Sequence, residues 1–202
     1  MILYIFISCQ KRFPESYERI IKMMLPFNND YLIVKGGSDK NYYNENSHIL
    51  ELDCNDFYEG LPEKVLKTYQ FIYNNKIFNK YNFICKLDDD MILHKIFDND
   101  ILSDYCGIVQ KTTGNRNWHI GKCSKESKFN TKPYDGIYVP WCKGGYGYIL
   151  SRFAIENLIN NTEYFDEIYE DVYIAKILYE RIIFPKHLSG LSKYISSPDH
   201  KC

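Results

Sequence analysis

The sequence lacks any apolar run long enough to cross a bilayer as a helix. Met1 to Cys9 is apolar but too short, lacks a basic opening segment, and is soon followed by Lys11 and Arg12. It therefore reads as a first core strand and not as a signal peptide. No Cys-x-x-Cys pair occurs, and the seven cysteines form an odd set without tight pairing, which argues against a structural zinc site and against a disulfide scaffold. Positive charge is not in excess either. Lys and Arg number 25 against 26 Asp and Glu, a net charge of -1, which argues against nucleic-acid binding through bulk charge. Glycine is missing from Ser8 to Arg12. A Gly-rich loop of the kind that cradles phosphates is therefore absent after the first apolar run.

What is present is a globular composition: 202 residues, 45% apolar and 16% aromatic, enough for one domain with a sizeable core. Ile2 to Ser8, Tyr31 to Val34, Ile49 to Leu52 and Phe83 to Leu87 read as strands. Helices are expected from Pro14 to Leu25 and from Pro62 to about Phe78, with Val65, Leu66, Tyr69, Ile72 and Tyr73 on the buried side of the second. Strands alternating with helices imply an α/β sheet, mostly parallel in this half. Further on, Ile108 to Gln110, Trp118 to Ile120 and Tyr138 to Pro140 look like short strands, and Asn115 to Lys132 like a polar stretch containing a mobile loop. Gly144 to Gly147 reads as a loop that no helix would tolerate. Ser151 caps a helix to about Ile159, and another runs from Asp171 to Arg181.

The strongest chemical signal is Asp88-Asp89-Asp90, set between the apolar runs Phe83–Leu87 and Met91–Leu93. Three adjacent carboxylates repel one another unless a cation neutralises them. Hard cations such as Mg²⁺ or Mn²⁺ take carboxylate oxygens and keep positions open for phosphates. Open α/β sheets bind ligands at the C-terminal edges of their strands. A solvated acidic turn is the plain alternative.

Four segments carry a family pattern in order: Asp53 to Thr68, Lys86-Leu87-Asp88-Asp89-Asp90, Val139 to Ser151 with its Gly144-Gly145-Tyr146-Gly147 core, and Tyr169-Glu170-Asp171-Val172 followed by Pro185-Lys186-His187. Together they resemble the β-1,3-galactosyltransferase family and its fringe-like relatives over most of the chain from Ile49 to His187. Leu87, Trp141 and Ala175 depart from that family's usual residues. The resemblance implies an α/β GT-A fold with a mixed central sheet flanked by helices. It also implies a nucleotide-sugar half (about 1–93) and an acceptor half (about 94–202). The expected activity is metal-dependent, inverting transfer from a nucleotide sugar, usually a UDP-sugar, to a hydroxyl on a carbohydrate or glycoconjugate. Compact, unanchored relatives occur in large DNA viruses and bacteria, so the expected location is the cytoplasm, the host's if the chain is virus-encoded.

By the same resemblance, Asp90 ligates Mn²⁺ or Mg²⁺, Asp88 reaches the ribose or, through water, the metal, and His187 supplies a nitrogen ligand to the metal, its plain alternative being a cap on the last helical segment. Asp89 lies in the metal's outer shell or bonds to the loop, and Asp171 is the general base, with Glu170 its neighbour should the register slip by one. A carboxylate flanked by Tyr169, Val172 and Tyr173 is expected to be desolvated. Gly144 and Gly145 form a plain turn or let backbone approach a sugar closely. Lys11 and Arg12 meet the nucleotide or stay solvated. Lys67 is a solvated helix residue or, by family position, a support for the acidic loop. Two rival readings are a sugar nucleotidyltransferase and a non-catalytic carbohydrate-binding module. The missing glycine after the first strand weighs against the former, and the intact Asp88, Asp90 and Asp171 against the latter.

Overall fold

The computed structural model describes residues 1–111, 116–160 and 166–197. The first half contains β1 (Ile2–Ile7), α1 (Phe13–Met24), β2 (Tyr31–Lys35), β3 (Tyr42–Asn44), β4 (Ile49–Glu51), α2 (Leu61–Asn74), β5 (Phe83–Asp88) and β6 (Ile92–Leu93). Then come β7 (Tyr105–Gly107), β8 (Val109–Gln110), β9 (Trp141–Cys142), β10 (Tyr148–Ser151), α3 (Arg152–Ile159), α4 (Glu170–Glu180), β11 (Lys186–His187) and β12 (Ile195–Ser196).

Eight strands form one sheet in the order β11-β7-β10-β5-β1-β2-β4-β3. β1 lies parallel between β5 and β2, and β2 parallel to β4. β3 and β10 run antiparallel to their neighbours, so the sheet is mixed, as expected. β1 is apolar throughout because it is covered on both faces. Leu3, Ile5 and Ile7 point into a core shared with α2, α3 and α4. Ile2, Tyr4 and Phe6 point the other way, toward Ile20 and Met24 of α1.

Local signals explain the helix starts. α1 and α2 each carry proline in the first turn. Ser151 Oγ accepts from Ala154 N at 3.1 Å and caps α3. α2 ends at Asn74, short of Phe78, because Asn75 turns extended and its side chain caps a 3-10 turn over Lys76–Phe78.

The second half departs more from the sequence reading. Trp118 to Ile120 is a turn and not a strand. Tyr138 to Pro140 is irregular; the strand there is β9, one residue later, which pairs with β8. Asn115 lies outside the described residues. The rest of its polar stretch makes hydrogen bonds of its own, Cys123 N donating to Asn130 Oδ1 and Ser124 N to Glu59. Gly144–Tyr146 makes a single 3-10 turn, which its glycines permit because nothing extends it into a helix.

Candidate active site

β5 and β1 end side by side, with Ile7 in register with Asp88. Beyond that edge the three carboxylates separate by environment. Asp89 turns inward and is buried: its Oδ2 accepts from Ser8 Oγ at 2.7 Å, and its Oδ1 is 2.9 Å from Arg12. Burial raises its carboxyl above the ordinary range, with Ser8 and Arg12 opposing. Asp88 and Asp90 stay partly exposed. Asp88 Oδ1 is 2.6 Å from Lys86 Nζ, and Asp90 Oδ2 is 3.4 Å from Arg12.

Lys86 is the hinge of the site. It lies on β5, fully buried, and its ammonium also reaches Glu170 Oε1 at 3.0 Å and the Gly144 carbonyl at 3.3 Å. Burial favours the neutral amine, yet Asp88 and Glu170 together hold its pKa above the usual lysine value. Glu170 is itself buried at the start of α4. Burial pushes its carboxyl up to about 7, with Lys86 opposing and Asp171 and Asp88 adding to the shift.

Asp171 follows in the same first turn, where the helix dipole favours negative charge. Its Oδ2 accepts from Gly144 N at 2.9 Å, and its Oδ1 from Val172 N at 2.9 Å. A Cβ on Gly144 would stand 2.8 Å from Glu170 Oε2 and 3.1 Å from Asp171 Cβ, so only glycine permits this approach. Gly147 closes the turn at φ 74°, where a Cβ would meet Leu87 at 2.6 Å.

One partner of Asp171 was not foreseeable from the motifs. Arg116 Nη2 donates to both its oxygens at 3.0 Å. The guanidinium lies 4.0 Å from the Tyr169 ring and 5.6 Å from that of Trp141. Tyr138 stacks on Trp141, and Tyr134 joins Tyr138 and Tyr169, so an aromatic wall surrounds the cation. His119 supports it: its Nδ1 is 2.7 Å from Tyr169 Oη, and its Nε2 2.9 Å from the Lys132 carbonyl.

The structure brings Asp88, Asp90, Arg12, Gly144, Glu170 and Asp171 into one region through these contacts. Gly145 is exposed, and a Cβ on it would lie 4.0 Å from Asp88 Oδ2. Lys11 is exposed. Lys67 does not reach the acidic loop; it bonds to the Asp53 carbonyl and pairs with Glu63 at 2.8 Å. Lys64, one turn earlier, is the buried lysine that reaches β1, bonding to Ser8 O at 2.9 Å and pairing with Asp56 at 2.6 Å. The helical spacing toward the core, four residues before Thr68 and one before Val65, was the available signal for it.

His187 stands apart from the acidic residues. It is exposed on β11, and its Nδ1 accepts from Val109 N at 3.3 Å. β7 and β10 separate β11 from β5, which at strand spacing is about 14 Å. Among the described residues no three His, Cys, Asp or Glu side chains form a ready-made metal cage. Asp88 and Asp90 still fit a hard divalent cation: each is partly exposed, and neither Asp88 Oδ2 nor Asp90 Oδ1 bonds to another described residue. Two carboxylates with an open side for phosphate are the usual donor set for such a cation.

A family model for galactosyltransferases matches residues 38–188. No curated protein matches the chain. The crystal structure of A197 from STIV shares the fold, at TM-score 0.51 and 13% identity, over 100% of this chain and 96% of that one. The catalytic domain of Drosophila β1,4-galactosyltransferase 7 with xylobiose overlays 100% of this chain and 76% of its own, at TM-score 0.48 and 9% identity. A complex of a mutant of that enzyme with manganese, UDP-Gal and xylobiose gives TM-score 0.47 and 9% identity over the same shares. Among the described residues of the present chain, no helix is long and apolar enough to cross a membrane.

Proposed function

The chain belongs to the galactosyltransferase family and is a glycosyltransferase, and from that premise we propose that its mixed sheet is a GT-A fold and that it moves a sugar from a UDP-sugar to a hydroxyl of a glycan, with inversion and with help from Mn²⁺ or Mg²⁺. The observation that carries this reading is the single bridge between two carboxylate sites. The buried Lys86 joins the partly exposed Asp88 at the strand edge to the buried Glu170, next to Asp171.

Residues 1–93 supply the donor side and residues 94–202 the acceptor side. Asp88 and Asp90 hold the cation through the oxygens that Lys86 and Arg12 leave open. When bound, the cation supplies charge against the departing diphosphate. Gly145, bare of side chain beside Asp88, leaves room for the donor. Arg12 and Lys11 stand at the end of β1, on the nucleotide side. Asp171 takes the proton of the acceptor hydroxyl as that oxygen bonds to the anomeric carbon and the bond to the diphosphate breaks. A single displacement of this kind inverts the configuration.

Glu170 lies against Lys86 and serves as its counter-ion, which supports Asp171 as the base. A screen of nucleotide sugars with Mn²⁺ present, reading hydrolysis and transfer, tests the reading. UDP-sugars should turn over. Absence of turnover with every nucleotide sugar would contradict it.

A further inference from the structure

Asp171 has no room for the proton it is to receive. A carboxylate offers about four lone-pair positions. Here Oδ1 takes Val172 N and Arg116, and Oδ2 takes Gly144 N and Arg116. The two backbone groups are fixed by α4 and by the Gly144 turn. Arg116 is the one donor that can leave, so acceptor binding has to draw its guanidinium away.

A guanidinium that is largely enclosed by aromatic rings gives up a carboxylate readily only for another anion, since an unpaired buried charge is costly. A neutral sugar offers Asp171 a hydroxyl but offers Arg116 nothing of equal strength. A second observation points the same way. Residues 111–143, which supply Arg116 and most of the aromatic wall, carry seven Lys and Arg against two Asp and Glu, in a chain whose net charge is -1. Among them, Lys122 lies 5.6 Å over the Tyr58 ring, and Lys143 directly precedes Gly144.

We propose that Arg116 is a specificity-determining residue that selects an acceptor bearing an anionic group, a carboxylate or a phosphate, beside the hydroxyl to be glycosylated. The anion takes Arg116, and the hydroxyl takes the vacated position on Asp171. This rests on the glycosyltransferase reading for its outcome but not for its first test, which needs no donor.

Paired probes separate the cases: methyl β-glucuronide against methyl β-glucoside, and glucose 6-phosphate against glucose. Binding to the full chain is read by saturation-transfer NMR without donor. UDP release from UDP-galactose and UDP-glucose is then read with Mn²⁺. The anionic member of at least one pair should bind ten-fold or more tightly and raise UDP release. The uronide and phosphate arms report which anion is preferred. Arg116→Ala should abolish the preference, so that the anionic and neutral members of a pair bind alike, and Arg116→Lys should restore part of it. Equal or better binding of the neutral probes overturns the proposal, as does binding of no probe or a preference that survives in Arg116→Ala. If Arg116→Ala does not fold, the probe pairs on the unaltered chain still decide. Selective binding of an anionic probe without any UDP release would leave the selectivity standing and count against the glycosyltransferase reading instead.

Discussion

The ammonium of Lys86 lies 3.0 Å from the Glu170 carboxylate, and both side chains are closed off from water. Removing one member of such a pair leaves the other buried and uncompensated. Lys86→Met should therefore cost about 3–5 kcal/mol in stability. Urea unfolding of the variant checks this, and a loss below about 1 kcal/mol would show that the pair is not needed to hold the site.

Glu170 gives the stability a sign with pH. Its carboxyl moves from an ordinary 4.5 to about 7 in the folded chain, mainly through burial. The folded state thus holds this proton more tightly than the unfolded state. The contribution to stability is complete below about pH 4.5 and is lost as pH rises to about 7. Glu170→Gln does not titrate, so the parent should lose stability relative to it across that window, by an amount on the order of 3 kcal/mol. Thermal unfolding of both proteins at several pH values reads the difference. A constant difference would contradict the burial account.

Asp171→Asn keeps the size of the side chain but cannot take a proton. Transfer should fall by about 10²–10⁴, the usual worth of a general base, with donor affinity little changed. Transfer rates near the parent's would remove Asp171 from the mechanism and turn attention to Glu170.

His187, on the far side of β7 and β10 from the acidic edge, should not matter to the metal. His187→Ala is expected to keep the parent's Mn²⁺ affinity at pH 6 and pH 8. A weakened and newly pH-independent affinity would show that the segment after α4 folds back over Asp90.

These tests follow the line between what the sequence discloses and what only the fold reveals. β1, β5 and α3 were legible because each is specified locally, by an uninterrupted apolar run or by the Ser151 cap. The edge position of Asp88 and Asp90 followed from the end of the β5 run, and burial of Asp171 from its aromatic neighbours. The ion pairs were not legible. Lys86 meets Glu170 across 84 positions and Arg116 meets Asp171 across 55, and no periodicity encodes such contacts. The place of His187 in the sheet was not legible, because spacing along the chain does not say which strand β11 joins; it pairs with β7 at the sheet's edge. Trp118 to Ile120 looked like a strand from its apolar residues, but Trp118 N and His119 are drawn to Tyr169 Oη, which bends the chain there.

The most direct test of the central claim is UDP binding by calorimetry, with and without Mn²⁺, to the parent chain and to Asp90→Ala. The account predicts that Mn²⁺ tightens UDP binding to the parent at least ten-fold and that Asp90→Ala, still folded, loses this gain. UDP binding that is absent from the parent, or that is indifferent to Mn²⁺ in both proteins, would contradict it.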